Sequence, residues 1–286
     1  MGVLPDEELL RFLNDDCPFS DLTTEGLGIA GVAATATLTA RSDMVICGVE
    51  EAARMFELSG ASVERATRSG ERLGAGSLIL TATGEAGALH RTYKVAQTLM
   101  EILSGISTAT RAIVEAARGA NPTCGVVCTR KHMPGMKRLA LRAIEAGGAK
   151  PHRLGLSDYV LVFEEHRVLL DKGQSMEAHF WRLRSSAMER KLAAEADTVE
   201  DAIALAEAGA EIVQVDKLTP AQVASVAKGL ARFSPRPLLA AAGGINAGNA
   251  AAYAAAGADV LVTSSPYYAA PKDVKVRFKP VIQAGA

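Results

Sequence analysis

Neither sign of charge is in excess in this chain: 31 Lys and Arg stand against 32 Asp and Glu, a formal net charge of −1. No polybasic run or acidic tail is present, which argues against a partner such as nucleic acid or an anionic membrane surface. Cysteine is sparse. Cys17, Cys47, Cys124 and Cys128 are all there is in 286 residues, too little for a disulfide framework. Long apolar runs are missing too, and none approaches the roughly 20 residues that a membrane span needs. Met1-Gly2-Val3-Leu4-Pro5-Asp6 lacks a basic start followed by an apolar stretch, and Asp6 stands where a myristoylation motif wants Ser or Thr. These absences lead us to expect a soluble cytoplasmic protein. At 49% hydrophobic residues, the length suits one large α/β domain, or a barrel with a smaller domain.

The first hundred residues have mixed patterning. Leu9, Leu10, Phe12 and Leu13 suit a short amphipathic helix over 5–14, and Ala33–Ala40 alternates like a strand. A helix is expected over 49–59, a strand over 77–82, and a long helix over 90–103, ended by Ser104-Gly105. This half is an α+β layer. From about Gly125 the pattern changes to short β-rich runs: 126–129, 159–163, 191–196, 212–215, 238–242 and 260–263. Ala-rich helical segments are expected between them at 134–146, 175–184, 199–208, 220–231 and 247–256. Thr219-Pro220 is a helix start, while Gly209 and Gly257 stand at helix ends. Such alternation means a parallel sheet with right-handed crossovers.

An open sheet and a closed barrel both satisfy that alternation, and the last two units favour the barrel. One strand runs into Gly243-Gly244-Ile245-Asn246 and the next into Ser264-Ser265. Phosphate sites of β/α barrels commonly use these two loops with a helix N-terminus, where free N–H groups converge on an anion. Ordinary turn glycines with a capping Asn are the alternative.

Thr129-Arg130-Lys131-His132 follows a strand, and His152-Arg153 comes soon after. Basic pairs on neighbouring strand-end loops suit a polyanionic substrate, although each alone also fits a solvated surface. Glu195 interrupts the apolar Leu192–Ala196, and Asp216 ends another strand. Carboxylates there hold ribose hydroxyls, bind Mg²⁺ through water or stabilise a cationic transition state; an interior salt bridge is the alternative. Lys217 raises the further possibility of a Schiff-base lysine. Cys124, Cys128 and His132 recur every fourth residue, but Pro134 and the strand-like Val126-Val127 argue against one helical face, and packed thiols are the better reading.

At these residues the sequence resembles the quinolinate phosphoribosyltransferase (nicotinate-nucleotide pyrophosphorylase) family. The shared landmarks are Asp21-Leu22-Thr23-Thr24, Arg91-Thr92, Ser104-Gly105-Ile106-Ser107-Thr108, Thr129-Arg130-Lys131 with Pro134-Gly135, and His152 through Asp158. The resemblance implies an incomplete, TIM-like β/α barrel over 110–271 and an N-terminal α/β sandwich domain over 1–109, joined by 272–286. It implies a homodimer, or a hexamer of dimers, in which Arg91 enters the partner's site. It also implies transfer of phosphoribose from phosphoribosyl pyrophosphate with Mg²⁺. By position, Arg91, Arg130, His152 and Arg153 would hold the substrate's acidic groups, Lys131 would meet phosphate, and Glu195 and Asp216 would face ribose and, through water, the metal. Gly243, Gly244, Ser264 and Ser265 would receive the 5-phosphate.

Several positions depart from the family pattern. Phe163-Glu164-Glu165-His166 replaces Lys-Asp-Asn-His, Ala240-Ala241-Ala242 replaces Glu-Ser-Ser, Lys217 replaces Asn, and Ser264 replaces Gly. These changes resemble the ModD-type, molybdenum-utilisation branch, and Phe163 implies a flatter, less acidic acceptor. Three functions stay open here: a phosphoribosyltransferase, a non-catalytic ligand-binding or regulatory protein of molybdate metabolism, and an aldolase-like lyase acting through Lys217.

Overall fold

A computed structural model of the chain describes residues 2–281, so 282–286 of the expected C-terminal segment lie outside the described residues. The first half contains α1 (Asp6–Asp16), α2 (Leu22–Gly26), β1 (Ala33–Ala40), β2 (Met44–Val45), α3 (Val49–Leu58), β3 (Ser62–Arg65), β4 (Arg72–Leu73), β5 (Leu78–Glu85) and α4 (Ala86–Ala120). Next come β6 (Gly125–Cys128), α5 (Lys137–Ala146), β7 (Lys150–Pro151), β8 (Val160–Val162), α6 (Glu164–Arg167), α7 (Met176–Ser186) and β9 (Leu192–Ala196). The chain continues through α8 (Val199–Glu207), β10 (Ile212–Asp216), α9 (Pro220–Leu230), β11 (Leu238–Ala242), α10 (Ala250–Ala255), β12 (Val260–Thr263) and β13 (Val274–Pro280). It divides into two units, one made of 1–111, 133–148 and 268–286, the other of 112–132 and 149–267.

The first unit is built on an antiparallel sheet of order β13-β1-β5-β3. Its central strand shows why: Ala34, Ala36, Leu38 and Ala40 are buried while the intervening threonines face the other way, the period of two that a one-sided sheet requires. In α5, Arg142 places Nη2 3.0 Å from Glu50 Oε2 and Nε 2.8 Å from the fully buried Glu51 carboxylate, anchoring that helix to α3.

Helix α4 corrects the expectation of an end at Ser104-Gly105: it runs on to Ala120. Its small polar residues make close contacts instead of breaking it. Cys47 N–H donates to Ser104 Oγ at 3.0 Å, Ser107 Oγ donates to Val45 O at 2.5 Å, and Thr108 and Thr110 donate to carbonyls one turn back. Gly105 lets another backbone stretch approach, since a Cβ there would stand 2.4 Å from Ala270 O.

The second unit contains a curled, open seven-stranded parallel sheet of order β7-β6-β12-β11-β10-β9-β8, an incomplete β/α barrel. Helices cover its outer face, where Val213, Val215, Leu239 and Leu261 are buried. Thr219 caps α9 in a reciprocal box with Gln222, as the Thr-Pro start predicts. Two helices begin later than expected. The left-handed Gly135 delays α5 to Lys137, and the side chains of Asn246 and Asn249 brace a turn that delays α10 to Ala250. The register places Glu195, Gln214 and Asp216 beside Ala240 and Ala242 on the inner face.

Candidate active site at the strand ends

All seven strands point the same way, so the loops that follow them share one rim. The loop after β6 starts with Thr129, whose N–H donates to Thr263 O at 2.9 Å and whose carbonyl accepts from Tyr267 Oη at 3.1 Å. Arg130 and Lys131 are exposed on this braced turn. After β7, His152 N–H donates to Cys128 O at 2.8 Å, which fixes the neighbouring loop against the first. Arg153, only 9% exposed, lays its guanidinium carbon 5.5 Å from the centroid of the Phe163 ring.

This part of the rim carries several basic groups. Burial lowers the Arg153 pKa, nearby Arg130 lowers it further, and only Tyr159 acts the other way. His152 does not add to the charge. Its Nε2 lies 2.6 Å from Tyr159 Oη, and burial, then Arg153, push its pKa down to about 4. At neutral pH it is an uncharged hydrogen-bonding group on a rim that also carries Arg130 and Arg153.

The ends of β9 and β10 are acidic. Glu195 has its pKa raised by burial first, opposed by a hydrogen bond from Gln214, and raised further by Asp216, Asp197 and Glu165. Asp216 Oδ2 lies 2.9 Å from Lys217 Nζ. Lys217 takes a left-handed conformation (φ 58°) past the strand end and donates its N–H to Ala242 O at 3.0 Å. Its exposed ammonium is held protonated, pKa raised, by the hydrogen bond to Asp216 first. A Schiff-base lysine needs the opposite shift, so the geometry disfavours that reading.

Gly243 and Gly244 contrast within one turn, both at positive φ (86° and 75°). A Cβ on Gly243 would stand 2.5 Å from Lys217 N and 2.8 Å from Asp216 Oδ1, so this glycine lets two strand ends meet. At Gly244 a Cβ would meet nothing within 4 Å, so the backbone faces open space. Thr263 Oγ1 ties the two loops by donating to Ile245 O at 2.6 Å, and it lies 3.1 Å from Ser265 Oγ. The Ser265 hydroxyl is therefore engaged, while Ser264 is half-buried at the end of β12.

Of the expected site residues, Arg130, Lys131, His152, Arg153, Glu195, Asp216, Gly243, Gly244, Ser264 and Ser265 lie at the strand ends of the second unit. Arg91 lies in α4 of the first unit, where its Nη2 donates to Asn14 Oδ1 at 2.7 Å. Sequence reasoning missed Gln214, Tyr159 and Thr263. Gln214 carried the same signal as Glu195, a polar side chain at an inward position of an apolar strand. Cys124 and Cys128 are buried thiols whose pKa values burial pushes up to about 11 and about 12. Among the described residues, no group of three His, Cys, Asp or Glu forms a metal cage.

An incomplete barrel with cationic and anionic groups on one strand-end rim defines the class of protein. Comparison with known proteins supplies the family. Residues 21–104 match the N-terminal domain of quinolinate phosphoribosyl transferase and residues 106–277 match its C-terminal domain, so the chain belongs to that family. Its relatives include a ModD protein of Rhodobacter capsulatus named as a candidate pyrophosphorylase, 45% identical over 251 residues (88% of this chain, 96% of the other). A ModD of Pasteurella multocida is 36% identical, covering 96% of this chain and 98% of its own. The crystal structure of NadC from Streptococcus pyogenes shares the fold at a TM-score of 0.89 with 23% identity, over 99% of this chain and 100% of that one.

Proposed function

We propose that the chain is a phosphoribosyltransferase of the nicotinate-nucleotide pyrophosphorylase type, transferring phosphoribose from phosphoribosyl pyrophosphate to quinolinate or a related heterocyclic acid. One observation carries this reading: Arg130 and Arg153 follow β6 and β7 on the same strand-end rim to which β9 and β10 bring Glu195 and Asp216. A donor with phosphates at both ends of a sugar, joined to an acidic acceptor, needs that combination. The arginines, with Lys131 beside them, would hold acceptor carboxylates and leaving pyrophosphate. His152 would contribute as a neutral partner. The open backbone of Gly244, with Gly243, Ser264 and Ser265, would receive the 5-phosphate.

Attack of the acceptor nitrogen on the anomeric carbon breaks the bond to pyrophosphate and passes through a ribosyl-cation-like state. The carboxylates of Glu195 and Asp216 lower its energy from the acidic wall. With quinolinate as the acceptor, loss of its 2-carboxylate as carbon dioxide would follow. The donor set fits Mg²⁺ held through water: Glu195 and Asp216 are carboxylates on the inner face of neighbouring strands. When bound, the ion would supply charge neutralisation for the pyrophosphate. Arg91 would enter from a second copy in a homodimer, and an association with molybdenum utilisation follows from the ModD-type resemblance.

The test is pyrophosphate release from phosphoribosyl pyrophosphate. It should require both Mg²⁺ and an acceptor acid, and should fall about a hundredfold or more in Arg130→Ala. The second reading, a binding protein of molybdate metabolism without turnover, is favoured by the apolar Ala240–Ala242 and by the capture of Asp216 by Lys217. Calorimetric binding of an oxyanion or a phosphorylated ligand, with no product over hours, would select it.

A further inference from the structure

Beside border strand β8 and helix α7 the second unit holds an open cavity of about 460 Å³, away from the residues used above. Its walls are apolar: Val160, Leu161 and Val162 of β8, Leu170 beyond α6, and Phe180 and Leu183 of α7. The topology gives the cavity a reason. Strand β8 is three residues long and has no strand beyond it, whereas α8 packs on two paired strands, β9 and β10. The volume is in the range of small-molecule sites.

Four polar side chains interrupt this apolar lining: His166, His179, Arg182 and Ser186. Ser186 Oγ donates to Leu183 O at 2.8 Å, and buried His179 places Nε2 3.1 Å from Asp171 O, so both are engaged within the chain. The other two have hydrogens left to give. A backbone N–H only donates, so His166 Nδ1 accepts from Phe163 and the neutral ring keeps its hydrogen on Nε2. Exposed Arg182 donates from Nη2 to the neutral Gln174 Oε1 at 2.9 Å. Asp171 feels the Arg182 charge, but its two oxygens accept from Gly173 N–H and Gln174 Nε2. The complement of these walls and donors is an apolar body with one anionic head. A cation would be repelled by Arg182, and a polyanion would leave charge against carbon.

We propose that this cavity is a second ligand site, for a small monocarboxylate whose apolar body lies against β8 and α7 and whose carboxylate is held by Arg182, with His166 Nε2 as a further donor. None of Arg130, Arg153, Glu195 and Asp216 lines it, so it is separate from the strand-end rim. It adjoins that rim through one ring, since His166 also stacks on Phe163. The site stands whether or not the chain transfers phosphoribose.

Calorimetry on the full chain tests this with octanoate, using acetate and octylammonium as controls. We expect saturable binding of a single octanoate, tighter than either control by about tenfold or more, because acetate lacks the body and octylammonium carries the wrong charge. Leu183→Trp, which fills the cavity, should remove most of that binding. Arg182→Gln, an exposed change that leaves the fold intact, should erase the preference over octylammonium. Arg130→Ala, on the rim, should bind octanoate as the unaltered protein does. Octanoate that does not bind, binds without saturating, or binds no better than octylammonium overturns the proposal with no variant needed. So does a preference undiminished in Arg182→Gln, or loss of binding in Arg130→Ala, which would move the ligand to the strand ends.

Discussion

By the sequence resemblance Phe163 stands in place of a lysine, and the structure shows what surrounds it. Its ring lies under the Arg153 guanidinium and stacks at 19° on His166, whose Nδ1 accepts from the Phe163 N–H at 3.0 Å. An aromatic wall thus orients one arginine where a second cation would otherwise stand. Phe163→Lys should strengthen binding of a dicarboxylate such as quinolinate by about ten- to a hundredfold over a monocarboxylate such as nicotinate. Calorimetry with the two acids checks this, and an unchanged ratio would remove Phe163 from acceptor selection.

His152 makes a separate prediction at this scale. Its folded pKa, about 4, lies below its ordinary value of 6.5. As pH falls from about 6.5 toward 4 the unfolded chain takes up the proton first, so the stabilisation present above 6.5 is progressively lost in that window. Melting temperature plotted against pH should slope less steeply there in His152→Gln than in the unaltered protein. Single residues also mark how far sequence reading reaches. Glu195 stands out because a carboxylate has no packing reason to interrupt an apolar strand. Tyr159 and Thr263 carry no such mark, because their roles depend on partners 7 and 18 residues away that only the fold supplies.

At the scale of elements, period and punctuation carry most of the information. Strands β11 and β12 have the limits that apolar runs between turn residues predict, and α9 starts at its Thr-Pro signal. The two-residue β7 is too short to have a period at all. The expected end at Ser104-Gly105 fails for a different reason: residues that break an isolated helix are the ones that let another backbone approach a packed one. Gly105→Ala should therefore destabilise the protein by about 1–3 kcal/mol, because the added methyl meets the Ala270 carbonyl. Gly119→Ala, in the same helix with open space around it, should be neutral or slightly stabilising. Denaturant titration of the two variants separates a steric cost from helix propensity.

For the whole molecule, α5 follows a strand of the parallel sheet in sequence yet groups with the first unit, held through Arg142. Local patterning reads its helical character but not its allegiance, to which the Arg142 ion pairs with Glu50 and buried Glu51 contribute. Among the described residues no helix is long and apolar enough to cross a membrane. The proposed dimer gives a test at this scale. If Arg91 serves the partner's site, a mixture of Arg91→Ala and Arg130→Ala chains, each inactive alone, should regain roughly a quarter of full activity once subunits exchange. Half of the dimers would then be mixed, each with one intact site. No recovery after verified exchange would place Arg91 outside the reaction.

The seam in the parallel sheet has a consequence for how the cup is kept at its width. Strands β7 and β8, two and three residues long, form its two borders and share no ladder. Arg153 follows one border and Phe163 the other, so their cation–ring contact spans the gap between them. Where a closed barrel laces its last gap with main-chain hydrogen bonds, side-chain contacts span this one, Arg153 to Phe163 and His152 to Tyr159, within reach of single substitutions.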